Sequence, residues 1–120
     1  MAGARTKTPR PGVPVRGSRT GRPIMALLDL LGRRWTLRVL WELREAPATF
    51  RALRERCDDV SPTVLNVRLK ELRESGIIEL SDDEGYRLTE AGIGLRTALV
   101  PLTEWATHAW SRGAAKKSTR

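Results

Sequence analysis

A serine followed at once by a proline, with a glycine fourteen residues further on, brackets residues 61–76 more firmly than any other stretch of this chain. Ser61 is an N-cap residue whose hydroxyl can accept from a free amide of the first turn, and Pro62 suits the first helical position. Val60 before the cap and Leu65 after it have the spacing of a hydrophobic staple. Leu65, Leu69 and Leu72 form one apolar stripe, and Gly76 stands where a left-handed C-cap is needed. A helix with a single stripe needs an apolar layer to lie on, so this stretch constrains whatever surrounds it.

Upstream, Thr49 is a plausible cap for a short helix with Phe50, Leu53 and Cys57 on one face, and the segment Cys57-Asp58-Asp59-Val60 then turns the chain. Downstream, Ile77 to Leu80 and Tyr86 to Leu88 read as two strands around the turn residues Ser-Asp-Asp-Glu-Gly. Short helix, four-residue turn, capped helix and hairpin, in that order, make a helix-turn-helix with a wing. Two more helical regions flank this unit. Pro23 opens a first helix with Ile24, Leu27, Leu28 and Leu31 at helical spacing, ended by Gly32. A second helix, from about Trp35 to Arg44, is apolar on most sides and reads as the central core helix, with Trp35 and Trp41 in the core. Thr89 caps a last helix running to about Trp110, with Leu95, Leu99, Leu102 and Trp105 as its stripe. Pro101 inside it removes one hydrogen bond and is expected to bend it. The fold class is mainly α with a small β-hairpin (α+β), a winged helix-turn-helix with N- and C-terminal dimerisation helices.

The net charge of +8 suggests a polyanionic partner. Its distribution qualifies that. Residues 1–22 carry Arg5, Lys7, Arg10, Arg16, Arg19 and Arg22 with no acid, and residues 112–120 carry Arg112, Lys116, Lys117 and Arg120 with none. The body, 23–111, is left slightly acidic. The prolines and glycines of 1–22 and the scarcity of large apolar residues point to a disordered basic arm, and 112–120 reads as a disordered basic tail. No stretch approaches the ~20 apolar residues of a membrane span, and no apolar run follows the basic start, so a cytoplasmic location is expected. The single cysteine excludes an internal disulfide.

Nothing suggests an enzyme. His108 is the only histidine and has no second ligand at metal spacing. Cys57 has no histidine near it, and Asp58 and Asp59 beside it would raise its pKa. No phosphate loop or dinucleotide fingerprint is present, so no cofactor and no metal are expected.

The segments GRRWTLRVLWEL (32–43), TFRALRER (49–56), VSPTVLNVRLKELRESGIIE (60–79) and YRLTEAG (86–92) together resemble the HxlR-type transcriptional regulators, a winged-helix group related to the MarR regulators. The resemblance covers about residues 22–110. It implies a homodimer joined through the first and last helices, with the Ser61–Gly76 helix entering the major groove of DNA. The chain departs from the family pattern in three places. Arg22 stands where oxidant-sensing members carry a cysteine, Thr49 stands where a basic residue is usual, and the wing is short and acidic (Asp82, Asp83, Glu84).

With the leucines turned inward, Thr63, Asn66, Val67, Lys70 and Arg73 face outward. Thr63, Asn66 and Val67, near the helix start, are assigned to base edges: Asn suits adenine, and the apolar groups suit a thymine methyl. Lys70 and Arg73 suit phosphates, Ser61 caps the helix whose amides could meet another, and Arg68 either reaches DNA or supports Glu71 and the fold. Arg51 and Arg54 could clamp the backbone, and Arg87 at the base of the wing is a further candidate. The dimer interface is expected at Ile24, Leu27, Leu28, Leu31, Leu95, Leu99, Leu102 and Trp105, because a body this small already has a central helix. Trp105 and Trp110 could line a pocket for an aromatic effector of unknown identity or serve as buried anchors. The expected partners are double-stranded DNA and a second copy of the chain. Two other readings remain: a winged-helix module that binds protein, favoured by the acidic wing, and a non-specific nucleic-acid binder acting through the tails.

Overall fold

The computed structural model describes residues 8–118, with side chains to residue 114. The two ends of the basic tails, 1–7 and 119–120, lie outside the described residues.

Helix α1 (Pro23–Leu31) begins on its proline and ends at Gly32. It buries Ala26 and Leu30, while Ile24 and Leu28 stay more than half exposed. The expected stripe is therefore split: the small Ala26 and Leu30 face the chain's own core, and the larger pair faces outward. Helix α2 (Thr36–Glu42) follows Trp35, whose φ of +76° is left-handed. It contributes Val39 and Leu40 to the core, with Leu43 just beyond it. Trp41 is not a core residue. It is 48% exposed, as is Leu37 to a similar degree, and the Arg44 guanidinium lies 3.8 Å over its ring. A helix of seven residues has too few turns to surround itself with neighbours. One side covers the core and the other stays open.

Helix α3 (Phe50–Arg56) is capped by the Thr49 hydroxyl, which accepts from the Ala52 amide at 3.1 Å. Helix α4 (Pro62–Glu74) is capped in the same way, Ser61 Oγ accepting from Val64 N–H at 3.1 Å. At its other end Gly76 has φ +81°. The Gly76 amide donates to the Arg73 carbonyl and the Ile77 amide to that of Leu72, each at 3.0 Å, which closes a Schellman motif. Leu65, Leu69 and Leu72 are buried as the stripe requires, in one cluster with Leu30, Val39, Leu43, Leu53, Cys57 and Ile78.

Strands β1 (Ile78–Ser81) and β2 (Gly85–Leu88) pair antiparallel, Ile78 opposite Leu88. Ala48, in the link between α2 and α3, bridges Tyr86 through two backbone hydrogen bonds of 2.9 and 2.8 Å. A side chain on Gly85 would collide with the Ala48 carbonyl, 2.6 Å from a Cβ placed there, so the hairpin is fastened to the link between α2 and α3 near its turn end, beside the Ser81–Gly85 pair.

Helix α5 (Glu90–Glu104) starts on Thr89, whose Oγ1 accepts from Gly92 N–H at 3.1 Å and lies 2.6 Å from the Gly76 carbonyl as a donor. Pro101 sits inside α5, and the helix passes into a π-helical turn over Trp105–Trp110 before α6 (Ser111–Ser118).

Parts of the two basic terminal segments, 8–22 and 112–118, fall within the described residues. The chain from residue 8 folds back on itself, with Gly12 N–H donating to the Gly21 carbonyl at 3.0 Å and Val15 bridging Ser18. Thr8 and Pro9 are buried, and the Thr8 hydroxyl donates to the Glu74 carboxylate. Glycines at positive φ supply the turns, and Pro9 and Pro11 border an apolar recess with Ala26, Leu27 and Leu30, a contact that no local sequence rule reveals. The backbone from residue 112 to 118 continues as helix α6.

Candidate nucleic-acid interface

The outward side of α4 carries Thr63, Asn66, Val67, Lys70 and Arg73, and all five are exposed. Among the described residues, the side chains of Thr63, Asn66, Lys70 and Arg73 make no hydrogen bond or ion pair. The opposite side of the same helix is buried through its leucines. A rigid helix thus presents a short polar, apolar and basic row whose bonding capacity is unspent. Ser61 differs: its hydroxyl is committed to the cap, so it shapes the start of the row.

Three arginines expected to reach a ligand are engaged within the fold. Arg68 donates from Nε to the Arg34 carbonyl at 2.6 Å and from Nη1 to Glu71 Oε1 at 2.9 Å, so its guanidinium has partners within the fold. Arg54 donates from Nε to the Val60 carbonyl at 2.8 Å and thereby braces the turn between α3 and α4. Arg87 pairs with Glu79 at 2.8 Å and Glu84 at 3.4 Å. The hydrogen bond to Glu79 raises its pKa, holding the guanidinium charged against its carboxylates. Glu71 lies one helical turn from Arg68 on α4, whereas the Arg34 and Val60 carbonyls and Glu79 lie across a turn or on another element, out of reach of any pattern along one helix or strand. Arg51 is different: its side chain is 91% exposed, with only a 3.9 Å approach to Glu55.

The turn of the helix-turn-helix holds Asp58 and Asp59 at φ +57° and +56°. Asp58 lies 3.4 Å from Arg38, which also bonds Glu42 at 3.1 Å. Cys57 is fully buried at this turn. Burial pushes its thiol up, Arg38 pulls it down, and Glu42 and Asp58 add to the rise. A buried thiol held protonated is a packing group, not a nucleophile.

The wing tip is acidic. Asp82 and Asp83 are exposed, and Glu84 is tied back to Arg87.

Of the residues expected at a dimer interface, Ile24, Leu28, Leu102 and Trp105 are each more than half exposed. Leu27, Leu31 and Leu99 are partly covered. Leu31 and Leu95 pack against the chain's own core, so their main contacts are internal. Trp105 and Trp110 stack on each other, ring centroids 5.9 Å apart and planes 9° from parallel, with both rings open to the outside. Among the described residues no group of three or more His, Cys, Asp or Glu side chains is placed to hold a metal ion, and no helix is long and apolar enough to cross a membrane.

Sequence reasoning missed the ties of Arg33. Its guanidinium meets Glu71 of α4 and, at 3.5 Å, Asp29 of α1. The only local signal is Glu71 itself, three residues from Arg68 on a helix whose neighbouring positions are buried.

The family model for HxlR-like helix-turn-helix proteins matches residues 30–114. The chain is 38% identical over 91 residues to a protein of Mycobacterium tuberculosis described as an HTH-type transcriptional regulator, an alignment covering 71% of this chain and 57% of that protein. It therefore spans little more than half the length of that relative. The crystal structure of quinone-bound YodB from Bacillus subtilis superposes with a TM-score of 0.65 at 31% identity, over 70% of this chain and 93% of the other. A putative transcriptional regulator of the MarR family from Enterococcus faecalis gives 0.66 at 25% identity, over 81% and 90%.

Proposed function

Since this chain belongs to the HxlR-like helix-turn-helix family, we propose that it regulates transcription by binding specific DNA as a homodimer, with α4 as the reading helix. The observation that carries this is the outward row of α4, whose polar side chains have no partner among the described residues while its leucine face is buried. Asn66 offers an amide for the two-bonded recognition of adenine, and Thr63 and Val67 offer methyl groups to thymine. Lys70 and Arg73 lie a turn further on and meet phosphates, as does Arg51 from α3.

The wing plays a smaller part than its place in the fold suggests. Arg87 is engaged by two carboxylates, and Asp82 and Asp83 repel phosphate, so the hairpin stands off the backbone. The acidic tip favours one other reading, a module whose partner is a protein.

The apolar side chains of α1 and α5 left open in one chain, Ile24, Leu28, Leu102 and Trp105, supply the surface between two copies. Two reading helices related by a twofold axis call for a pseudo-palindrome with half-sites about 10 bp apart. If a dimer meets about 6–8 phosphates, log K should fall against log salt with a slope near −0.9 per phosphate. Cys57 is the only cysteine and is buried, so an incoming signal acts by a route other than modification of an exposed thiol.

Selection of a duplex from a random library, followed by gel shift, tests the reading. The full chain should enrich one sequence, and Asn66→Ala with Lys70→Ala should abolish that preference. A protein that enriches nothing, or a double variant that binds as the parent does, contradicts it. Loss of all binding on deletion of residues 1–22 alone would instead favour a non-specific binder acting through its arm.

A further inference from the structure

We propose that Glu71 is a positioning residue, which fixes the angular register of α4 against the turn between α1 and α2 and so couples the base-reading row to the helix that carries part of the dimer surface. This rests on the reading of α4 given above.

Glu71 lies on α4 beside the leucine stripe and is mostly buried, its side chain 12% exposed. Its two oxygens serve different partners. Oε2 accepts from Arg33, in the turn after α1, and Oε1 accepts from Arg68 at 2.9 Å, one turn back on α4. Arg68 in turn donates from Nε to the Arg34 carbonyl at 2.6 Å. Arg33 reaches Asp29, in the last turn of α1, at 3.5 Å. Asp29, Arg33, Glu71, Arg68 and the Arg34 carbonyl therefore form one polar chain between two elements. It is anchored twice on each side.

The backbone beside this chain is held in an uncommon conformation. Trp35 directly follows Arg34 and has φ +76°. That angle turns the peptide plane that holds the Arg34 carbonyl. An aromatic residue stays left-handed only where its surroundings over-determine it.

The leucines alone would leave α4 under-determined. Apolar packing is non-directional and tolerates a helix that rolls about its axis, whereas charge-assisted hydrogen bonds fix both distance and direction. A small roll of α4 would carry Asn66 and Thr63 away from the base edges while leaving the leucines buried. The charged network is a means of specifying orientation, which is the better attested use of buried ion pairs.

The test uses the full chain with two probes: the duplex selected by the wild-type protein, and a scrambled duplex of equal length. Glu71→Gln keeps the shape of the side chain and breaks one arm of the network. Its affinity for the selected duplex should fall about tenfold, comparable to losing one base-pair contact. Affinity for the scrambled duplex should not change, because Lys70, Arg73 and Arg51 remain. Arg33→Lys, which keeps the charge and loses the planar fork, should reduce discrimination in the same direction and by less. It also serves if Glu71→Gln does not fold. Equal losses on both duplexes, or unchanged discrimination, overturn the proposal. A wild-type protein that discriminates no duplex overturns the DNA reading first, and is recognised before any variant is made.

Discussion

Helices α4 and α5 are alike on paper and unlike in space. Each is capped by a hydroxyl side chain, each carries leucines at helical spacing, and they contain 13 and 15 residues. In α4 the three leucines are buried and both ends are closed by hydrogen bonds. In α5 only Gly92 is buried, and beyond Leu95 the helix leaves Val100 and Leu102 open, as the π-helical turn that follows leaves Trp105 and Trp110. The difference shows where a single chain stops being self-sufficient. Helix α4 is completed by its own chain, and the last helix leaves an apolar face open.

The largest blow to this contrast would come from the unfinished side. Leu102→Asp together with Trp105→Asp should dissociate the proposed dimer, at a cost of about 4 kcal/mol or more if both are central anchors. Sedimentation should show a monomer whose circular dichroism is near the parent's. A dimer that survives would mean that the open face of α5 faces something else. On the finished side, Leu69→Ala should cost about 3 kcal/mol in urea unfolding, because it leaves a cavity in a filled core. A cost below ~1 kcal/mol would mean that α4 is less completed than it looks.

Asn66→Ala should leave unfolding unchanged and remove about 2 kcal/mol of preference for the selected duplex over one changed at a single adenine. Ser61→Ala should cost about 1 kcal/mol of stability through its lost cap, whereas a change near zero would show that Pro62 and the Schellman end suffice. Smallest of all, Lys70→Ala should flatten the salt slope by about 1 for each subunit while leaving sequence preference intact.

Much of this architecture was legible because its signals are local. Ser61, Pro62 and Gly76 act on amides and carbonyls within a turn of themselves, and the structure places all three at the ends of α4. Thr49 and Thr89 act in the same way. The contacts left unread are those whose partners are distant along the chain. Arg68 and the Arg34 carbonyl are 34 positions apart, and Arg33 and Glu71 are 38 apart. No periodicity distinguishes an arginine aimed at a backbone carbonyl from one left free for phosphate. Trp41 was misjudged for a related reason: burial depends on what packs around a helix, and α2 is too short to be enclosed. The residues after Thr8 were judged by what they lack in apolar bulk. Their turns come from glycine, and their anchorage from Glu74, 66 positions away.

The seam at Thr89 has a mechanical consequence. There the start of α5 is bound to Gly76 and Ile77, just beyond the end of α4, and only a glycine fits at position 92, because a Cβ would lie 2.2 Å from the Ile77 carbonyl. From this root the helical rod of α5, the π-turn and α6 extends roughly 40 Å at about 1.5 Å per residue. A tilt of about 5° at the seam sweeps its far end through about 3–4 Å, close to the rise of one base pair. In the proposed dimer, a small adjustment at Gly92 would be converted into a whole step of spacing between the two copies of α4, which makes the seam a calibration point for the length of the proposed DNA site.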